Sequence, residues 1–270
     1  KATEVGAELI IALDPDADRC ALAVPARDTP SAGTPIGGGW VALSGDETGA
    51  LIGEYLARRA RGGSTACSIV SSRLLGRIAQ AHGLDHATTL TGFKWIGRTP
   101  GLVYGYEEAI GHCADPAHVR DKDGITAAVV AAGAVAELKA EGLGVLDLFD
   151  RQAARYGLYR TRPLTFRVED PGVISAAMER LRASTPSQLA GSRVTEYVDL
   201  AGGYRQTPGT DGILLRTERD DRVIIRPSGT EPKLKCYLEV VLAPAEKPDW
   251  DAARARLQEL SAATRTLCGL

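Results

Sequence analysis

The sequence is short of methionine, of paired cysteines, of long apolar runs and of net charge. Its one methionine is Met178, so position 1 is not an initiator residue and the chain is expected to be an internal piece of something longer. The five cysteines (Cys20, Cys67, Cys113, Cys236, Cys268) are odd in number, widely spaced and without a C-x-x-C pair. That spacing argues against a disulfide framework or a zinc cage and for reduced thiols. No apolar stretch approaches the roughly 18 residues of a membrane span, and Lys1 to Gly6 does not lead into a secretory h-region. Lys plus Arg is 32 against 34 for Asp plus Glu, a formal charge of −2, too balanced for a dedicated nucleic-acid or membrane-surface binder. What remains, 44% hydrophobic and 24% charged over 270 residues, reads as a folded cytoplasmic protein with room for two domains at roughly 100 to 200 residues each.

Periodicity orders the chain. Glu8 to Leu13 and Cys20 to Val24 are short apolar runs around a polar loop, a strand–loop–strand pattern. Pro25 to Gly39 carries turn or linker chemistry, and a boundary is expected there. Helical spacing follows at Asp46 to Arg59 and Leu74 to Ala81, with strand-like runs at Cys67 to Val70 and Ala87 to Leu90. This alternation predicts an α/β layer with parallel strands. Gly124 to Leu138 is apolar almost all round and predicts a buried helix, followed by a helix at Leu146 to Tyr156. Beyond Arg162 the pattern becomes strand-rich. Strands are predicted at Leu164 to Val168, Arg193 to Leu200, Gly212 to Thr217, Val223 to Arg226 and Leu234 to Leu242, with helices at Val173 to Leu181 and Trp250 to Leu267, an α+β domain.

Four loops carry groups suited to chemistry. In Asp14-Pro15-Asp16-Ala17-Asp18-Arg19, three carboxylates at spacing two can converge on one hard cation, and oxygen-only ligation suits Mg²⁺. An EF-hand is excluded, because its required glycine would be Arg19 and its last glutamate Pro25. A phosphatase with Asp14 as nucleophile and Asp16 as acid/base stays open at this point, as does a plain acidic turn. Thr91 to Gly97 places Lys94 between two aromatics in a Gly-flanked turn, either offering a fixed cation or packing its stem on Phe93 or Trp95. Glu107 and Glu108, in a Gly-bounded loop, can accept hydrogen bonds from vicinal sugar hydroxyls, or form a solvated acidic turn. His112 behind them could move protons or be incidental, and Asp121 to Gly124 has helix capping as its simplest role. Arg226, Ser228, Gly229 and Thr230 gather donors suited to a phosphate group in a loop joining two strands. Walker spacing is missing there.

Taken in order, DPDADR, TGFKWIG, EEAIG with DKDG, and RPSGTEPK resemble the α-D-phosphohexomutase superfamily almost from end to end. The wording of the middle loops is similar to its phosphopentomutase-like branch. The resemblance implies an enzyme moving a phosphoryl group between C1 and the terminal hydroxyl-bearing carbon of a hexose or pentose, through a sugar bisphosphate and a phosphoserine. It further implies Mg²⁺ on Asp14, Asp16 and Asp18, and Arg19 near the transferring phosphoryl group. Lys94 matches the T-G-x-K lysine, Glu107 with Glu108 the hydroxyl-binding loop, and Arg226, Ser228, Gly229 and Thr230 the grip on the other phosphate. A sugar bisphosphate activator is implied as well.

Two departures matter. Ala109 stands where many relatives have Ser, and the T-A-S-H-N-P segment that carries the family nucleophile is missing. The expected architecture is therefore the end of domain 2 with the metal loop (1–27), a complete α/β domain 3 with a mixed sheet and flanking helices (28–160), and a smaller α+β domain 4 (161–270). Such a piece is expected to be inactive without its N-terminal domains. A non-catalytic sugar-phosphate binding module is the remaining alternative.

Overall fold

The computed structural model describes residues 1–229 and 231–269. By contacts the chain falls into two compact units: Lys1–Gly157 with Pro244–Trp250, and Leu158–Ala243 with the segment from Asp251 on.

The first unit contains two sheets. One is antiparallel, in the order β1-β2-β4-β3, from β1 (Ile10–Leu13), β2 (Cys20–Pro25), β3 (Thr34–Gly37) and β4 (Trp40–Ala42). The expected division after residue 27 is not a break in this sheet, because β4 pairs with β2 through Ala23↔Ala42 and Val24↔Val41. Three consecutive glycines at positive φ, Gly37 to Gly39, make the tight β3–β4 turn, so glycine marks a hairpin here and not a linker.

The second sheet, ordered β6-β5-β7-β8, comprises β5 (Ser64–Ser68), β6 (Asp85–Thr89), β7 (Leu102–Glu107) and β8 (Gly111–Cys113). β5 runs parallel to β6 and β7, as the alternation predicts, and β8 is antiparallel to β7. Its helices are α1 (Gly45–Ala57), α2 (Leu74–Ala81), the short α3 (Phe93–Ile96), α4 (Gly124–Ala140) and α5 (Val145–Tyr156). α1 starts on a capping box, in which the Ser44 hydroxyl accepts from the Glu47 N–H and the Glu47 carboxylate accepts from the Ser44 N–H. Ala66, Phe93, Ile96, Leu102 and Cys113 close a core between α3 and the sheet. Glu54 of α1, buried, accepts from Gln152 and Tyr156 of α5 and faces His82 Nε2 at 2.8 Å, fastening three helical segments through one carboxylate.

α4 corrects one expectation. Only a stripe of it is buried (Ala127, Ala131, Ala134, Val135, Leu138), while Ile125 and Val129 stand 60% and 68% exposed. An all-round apolar sequence fixes helix formation here but does not tell which face is covered.

The second unit is an antiparallel sheet ordered β10-β11-β12-β13-β14-β9 with two helices. Its strands are β9 (Leu158–Arg167), β10 (Gln188–Leu189), β11 (Ser192–Asp199), β12 (Ile213–Thr217), β13 (Arg222–Pro227) and β14 (Lys233–Leu242). The helices are α6 (Pro171–Ala183), capped by Asp170 with proline in its first turn, and α7 (Trp250–Cys268). β9 starts six residues before the apolar run at Leu164 and contains Pro163; as an edge strand it tolerates a residue without an N–H. Among the described residues no helix is long and apolar enough to cross a membrane.

Candidate active site

The acid loop leaves β1 at Leu13 and re-enters β2 at Cys20. Its turn needs a left-handed residue, which is Ala17 at φ 56°. The Arg19 N–H donates to Asp14 Oδ1 at 3.0 Å. One carboxylate oxygen each from Asp14, Asp16 and Asp18 lie within 4.8 Å of one another. Partial desolvation raises the Asp14 carboxyl, but the hydrogen bond from the Arg19 backbone N–H, with the Arg19 guanidinium nearby, outweighs it and leaves its pKa below the ordinary value. Arg19 Nε stands 3.8 Å from Asp14 and 3.7 Å from Asp18.

Two other segments are stitched to this loop directly, and a third through Glu107. The Cys20 N–H donates to the Ile110 carbonyl at 3.1 Å, and Arg19 bridges to Gly111, which joins the acid loop to the two-glutamate loop. Ile110 itself adopts φ 58°, an uncommon conformation for a β-branched residue, held where the two loops meet. At the start of α4, the Gly124 N–H donates to the Ala17 carbonyl at 3.0 Å, and Lys122 Nζ pairs with Asp18. A Cβ on Gly124 would lie 2.6 Å from the Arg19 carbonyl oxygen and 2.7 Å from that of Ala17, so only glycine lets the helix come this close. Asp123 caps α4, accepting from the Ile125 and Thr126 N–H groups, as expected. Finally, the Gly92 N–H of the T-G-F-K turn donates to Glu107.

The two adjacent glutamates have different environments. Glu107 points to the T-G-F-K turn. Glu108, expected beside it as a second hydroxyl acceptor, instead turns inward and accepts from Ser68 Oγ at 3.1 Å and Ser71 Oγ at 3.3 Å. Burial, then the nearby charges of Asp46 and Glu107, push its pKa up to about 7. Asp46 is in turn held by the Ser72 N–H at 2.7 Å and the Tyr106 hydroxyl at 2.9 Å. Ser68 at the end of β5 and Ser71 just after it are neighbours of Glu108 that the sequence does not single out, since their serine-rich stretch resembles any loop.

Lys94 lies exposed on α3 with Nζ 5.7 Å from the centre of the Trp95 ring, leaving its ammonium open to an anion. His112 is fully buried, faces the Tyr104 hydroxyl through Nδ1 at 2.9 Å, and burial lowers its pKa to about 3. It is a neutral histidine of the core. Arg226, Ser228 and Gly229 belong to the second unit: Arg226 lies in β13 opposite Lys235, and Ser228 and Gly229 follow in the β13–β14 turn, where the Ser228 N–H donates to the Lys233 carbonyl at 2.8 Å. Gly229 needs no left-handed backbone there, and a Cβ on it would meet nothing. Thr230 lies outside the described residues.

The acid loop supplies an oxygen-only donor set with carboxylates close enough to share one ion, and so its residues fit Mg²⁺.

Two family models match the chain. Residues 44–155 match the model for phosphoglucomutase/phosphomannomutase, alpha/beta/alpha domain III, and residues 166–257 match that for the phosphoglucomutase/phosphomannomutase C-terminal domain. The chain belongs to the α-D-phosphohexomutase superfamily and corresponds to the C-terminal part of it. A Haemophilus influenzae protein named "Probable phosphomannomutase" is 42% identical over 240 residues, covering 88% of this chain and 47% of that protein. The phosphopentomutase of Homo sapiens is 31% identical, covering 97% of this chain and 47% of its own length. The chain thus spans about half the length of the curated relatives it matches. The solved structure of parafusin, a phosphoglucomutase from Paramecium, shares the fold with a TM-score of 0.71 at 19% identity, over 97% of this chain and 45% of that one.

Proposed function

We propose that this chain supplies the metal, sugar and phosphate loops of a Mg²⁺-dependent phosphosugar mutase whose phosphoserine lies in an N-terminal portion of the same protein. The observation that carries this reading is the joining of the acid loop, the Glu107 loop and the T-G-F-K turn through the Cys20–Ile110 and Gly92–Glu107 hydrogen bonds. Asp14, Asp16 and Asp18 would hold Mg²⁺, which when bound offsets negative charge on the phosphoryl group. Arg19 adds a fixed guanidinium beside it, and Glu107 accepts from sugar hydroxyls with its orientation set by Gly92. Lys94 offers an exposed cation that steadies the anionic substrate and can exchange a proton with a hydroxyl. Glu108 acts behind them as a positioning residue. Arg226, Ser228, Gly229 and Thr230 hold the non-transferring phosphate, and a sugar bisphosphate serves as activator. Catalysis then rests on positioning and electrostatics. The near-neutral charge fits a small phosphosugar partner and neither nucleic acid nor membrane, in a cytoplasmic setting.

The test is an assay of the 270-residue chain with a sugar 1-phosphate, Mg²⁺ and the bisphosphate, alone and after addition of an N-terminal half bearing the T-A-S-H-N-P serine. Background turnover alone with rescue on addition, abolished by Asp16→Ala, is the expected result. Robust turnover by the chain alone would shift the nucleophile to Asp14. Saturable binding without turnover in both mixtures would mark a binding module.

A further inference from the structure

The second unit holds two thiols in contact that no part of the candidate site uses. Cys236 on β14 and Cys268, the last residue of α7, are both fully buried, with sulfurs 3.8 Å apart although 32 positions separate them in sequence. Cys236 stands opposite Ile225 in the β13–β14 register, one residue before Arg226 of the phosphate loop. We propose that Cys236 and Cys268 form a peroxide-oxidisable pair, whose disulfide fastens the C-terminal turn of α7 to the strand that flanks the phosphate loop.

The geometry is asymmetric in a useful way. A disulfide needs sulfurs about 2.05 Å apart, so one side chain has to move by less than its own length. Cys236 is fixed in an interior strand, whereas Cys268 ends a helix and is followed by Gly269 at φ 65°. The last turn of a helix frays more readily than a strand interior opens, and this gives an oxidant its route. The same contact polarises the pair. The two thiols share one S–H···S contact, and the guanidinium of Arg180, bonded to the Cys268 carbonyl at 3.0 Å, lies close by; together they lower the Cys268 thiol, while Cys236 is pushed up.

The helix-end position and the neighbouring Arg180 guanidinium both favour Cys268 as the sulfur that reacts first. Its thiolate attacks one oxygen of hydrogen peroxide, an S–O bond forms, the O–O bond breaks, and hydroxide leaves and takes up a proton. Cys236 then attacks the sulfenic sulfur, the S–O bond breaks and a second water departs with the Cys236 proton. The two thiols lose two electrons and the peroxide gains them.

The experiment is a thiol and peptide map of the 270-residue chain after treatment with hydrogen peroxide. Free thiols should fall from five to three, with one new cross-link joining the tryptic peptides that carry residues 236 and 268, reversed by dithiothreitol. In Cys236→Ser, dimedone should label Cys268. The wild-type map decides, since it needs no variant to fold. Cross-links at other cysteines, sulfinic acid at either residue without the cross-link, or two intact thiols after the treatment would each overturn the proposal.

Discussion

Lys122 places its ammonium on the carboxylate of Asp18, so a cation already occupies one flank of the three-acid loop. A divalent ion on the same acids would feel that charge. In Lys122→Met, the affinity for Mg²⁺ measured by calorimetry should rise about threefold, in line with the ~0.2–1 kcal/mol of a partly exposed ion pair. An affinity that falls would mean that Lys122 shapes the loop more than it competes with the ion.

Glu108 should make stability depend on pH. Its carboxyl titrates at about 7 in the folded chain, against an ordinary value of 4.5. The folded state therefore binds the extra proton between these values, and stability falls as pH rises from 4.5 through 7. At roughly 1.4 kcal/mol per tenfold change in the protonation equilibrium, the loss by pH 8 is about 2–3 kcal/mol. Urea unfolding at pH 5.5 and 8 should show this drop, and Glu108→Gln, which keeps the serine contacts without a charge, should largely remove it. An equally steep drop in the variant would assign it to other groups.

Ala109 sits exposed between Glu108 and Ile110, with no hydroxyl to offer a sugar. In the protein carrying both halves, Ala109→Ser should shift the ratio of kcat/KM towards hexose over pentose phosphates by about tenfold, the worth of one added hydrogen bond of ~1–1.5 kcal/mol. An unchanged ratio would remove this position from specificity.

Arg226, in the second unit, is proposed above to hold the non-transferring phosphate. Its replacement by Ala should raise KM for the phosphosugar by roughly 10- to 100-fold, from the ~1.5–3 kcal/mol of hydrogen bonds to a charged group. Mg²⁺ affinity should stay as it is. A fall in metal affinity with an unchanged KM would contradict that assignment.

The sequence made some of this legible and hid the rest for physical reasons. Asp14, Asp16 and Asp18 announce themselves because a local spacing of two already brings three acids together. α1 is readable from the apolar spacing of Asp46 to Arg59, while its Ser44–Glu47 capping box sets its start at Gly45. β7 is not: Gly101 and Gly105 punctuate Leu102 to Glu107 like a loop, yet Gly105 is there because Ile96 packs so close that a Cβ would lie 2.4 Å from it. Glu107 and Glu108 look identical in sequence, and only contacts 37 and 40 positions away, from Ser71 and Ser68, separate their roles. The exposed Ile125 and Val129 show the same limit, since hydrophobicity alone carries no direction.

The close seat of Gly124 under the carbonyls of Ala17 and Arg19 has a practical meaning for anyone recombining these proteins. Loop and helix act as one casting: a chimera that takes the acid loop from one relative and α4 from another inherits two halves of a joint cut to different tolerances. Exchange should succeed only when residues 14–19 and 121–140 travel together, and libraries that diversify position 124 should return glycine and little else.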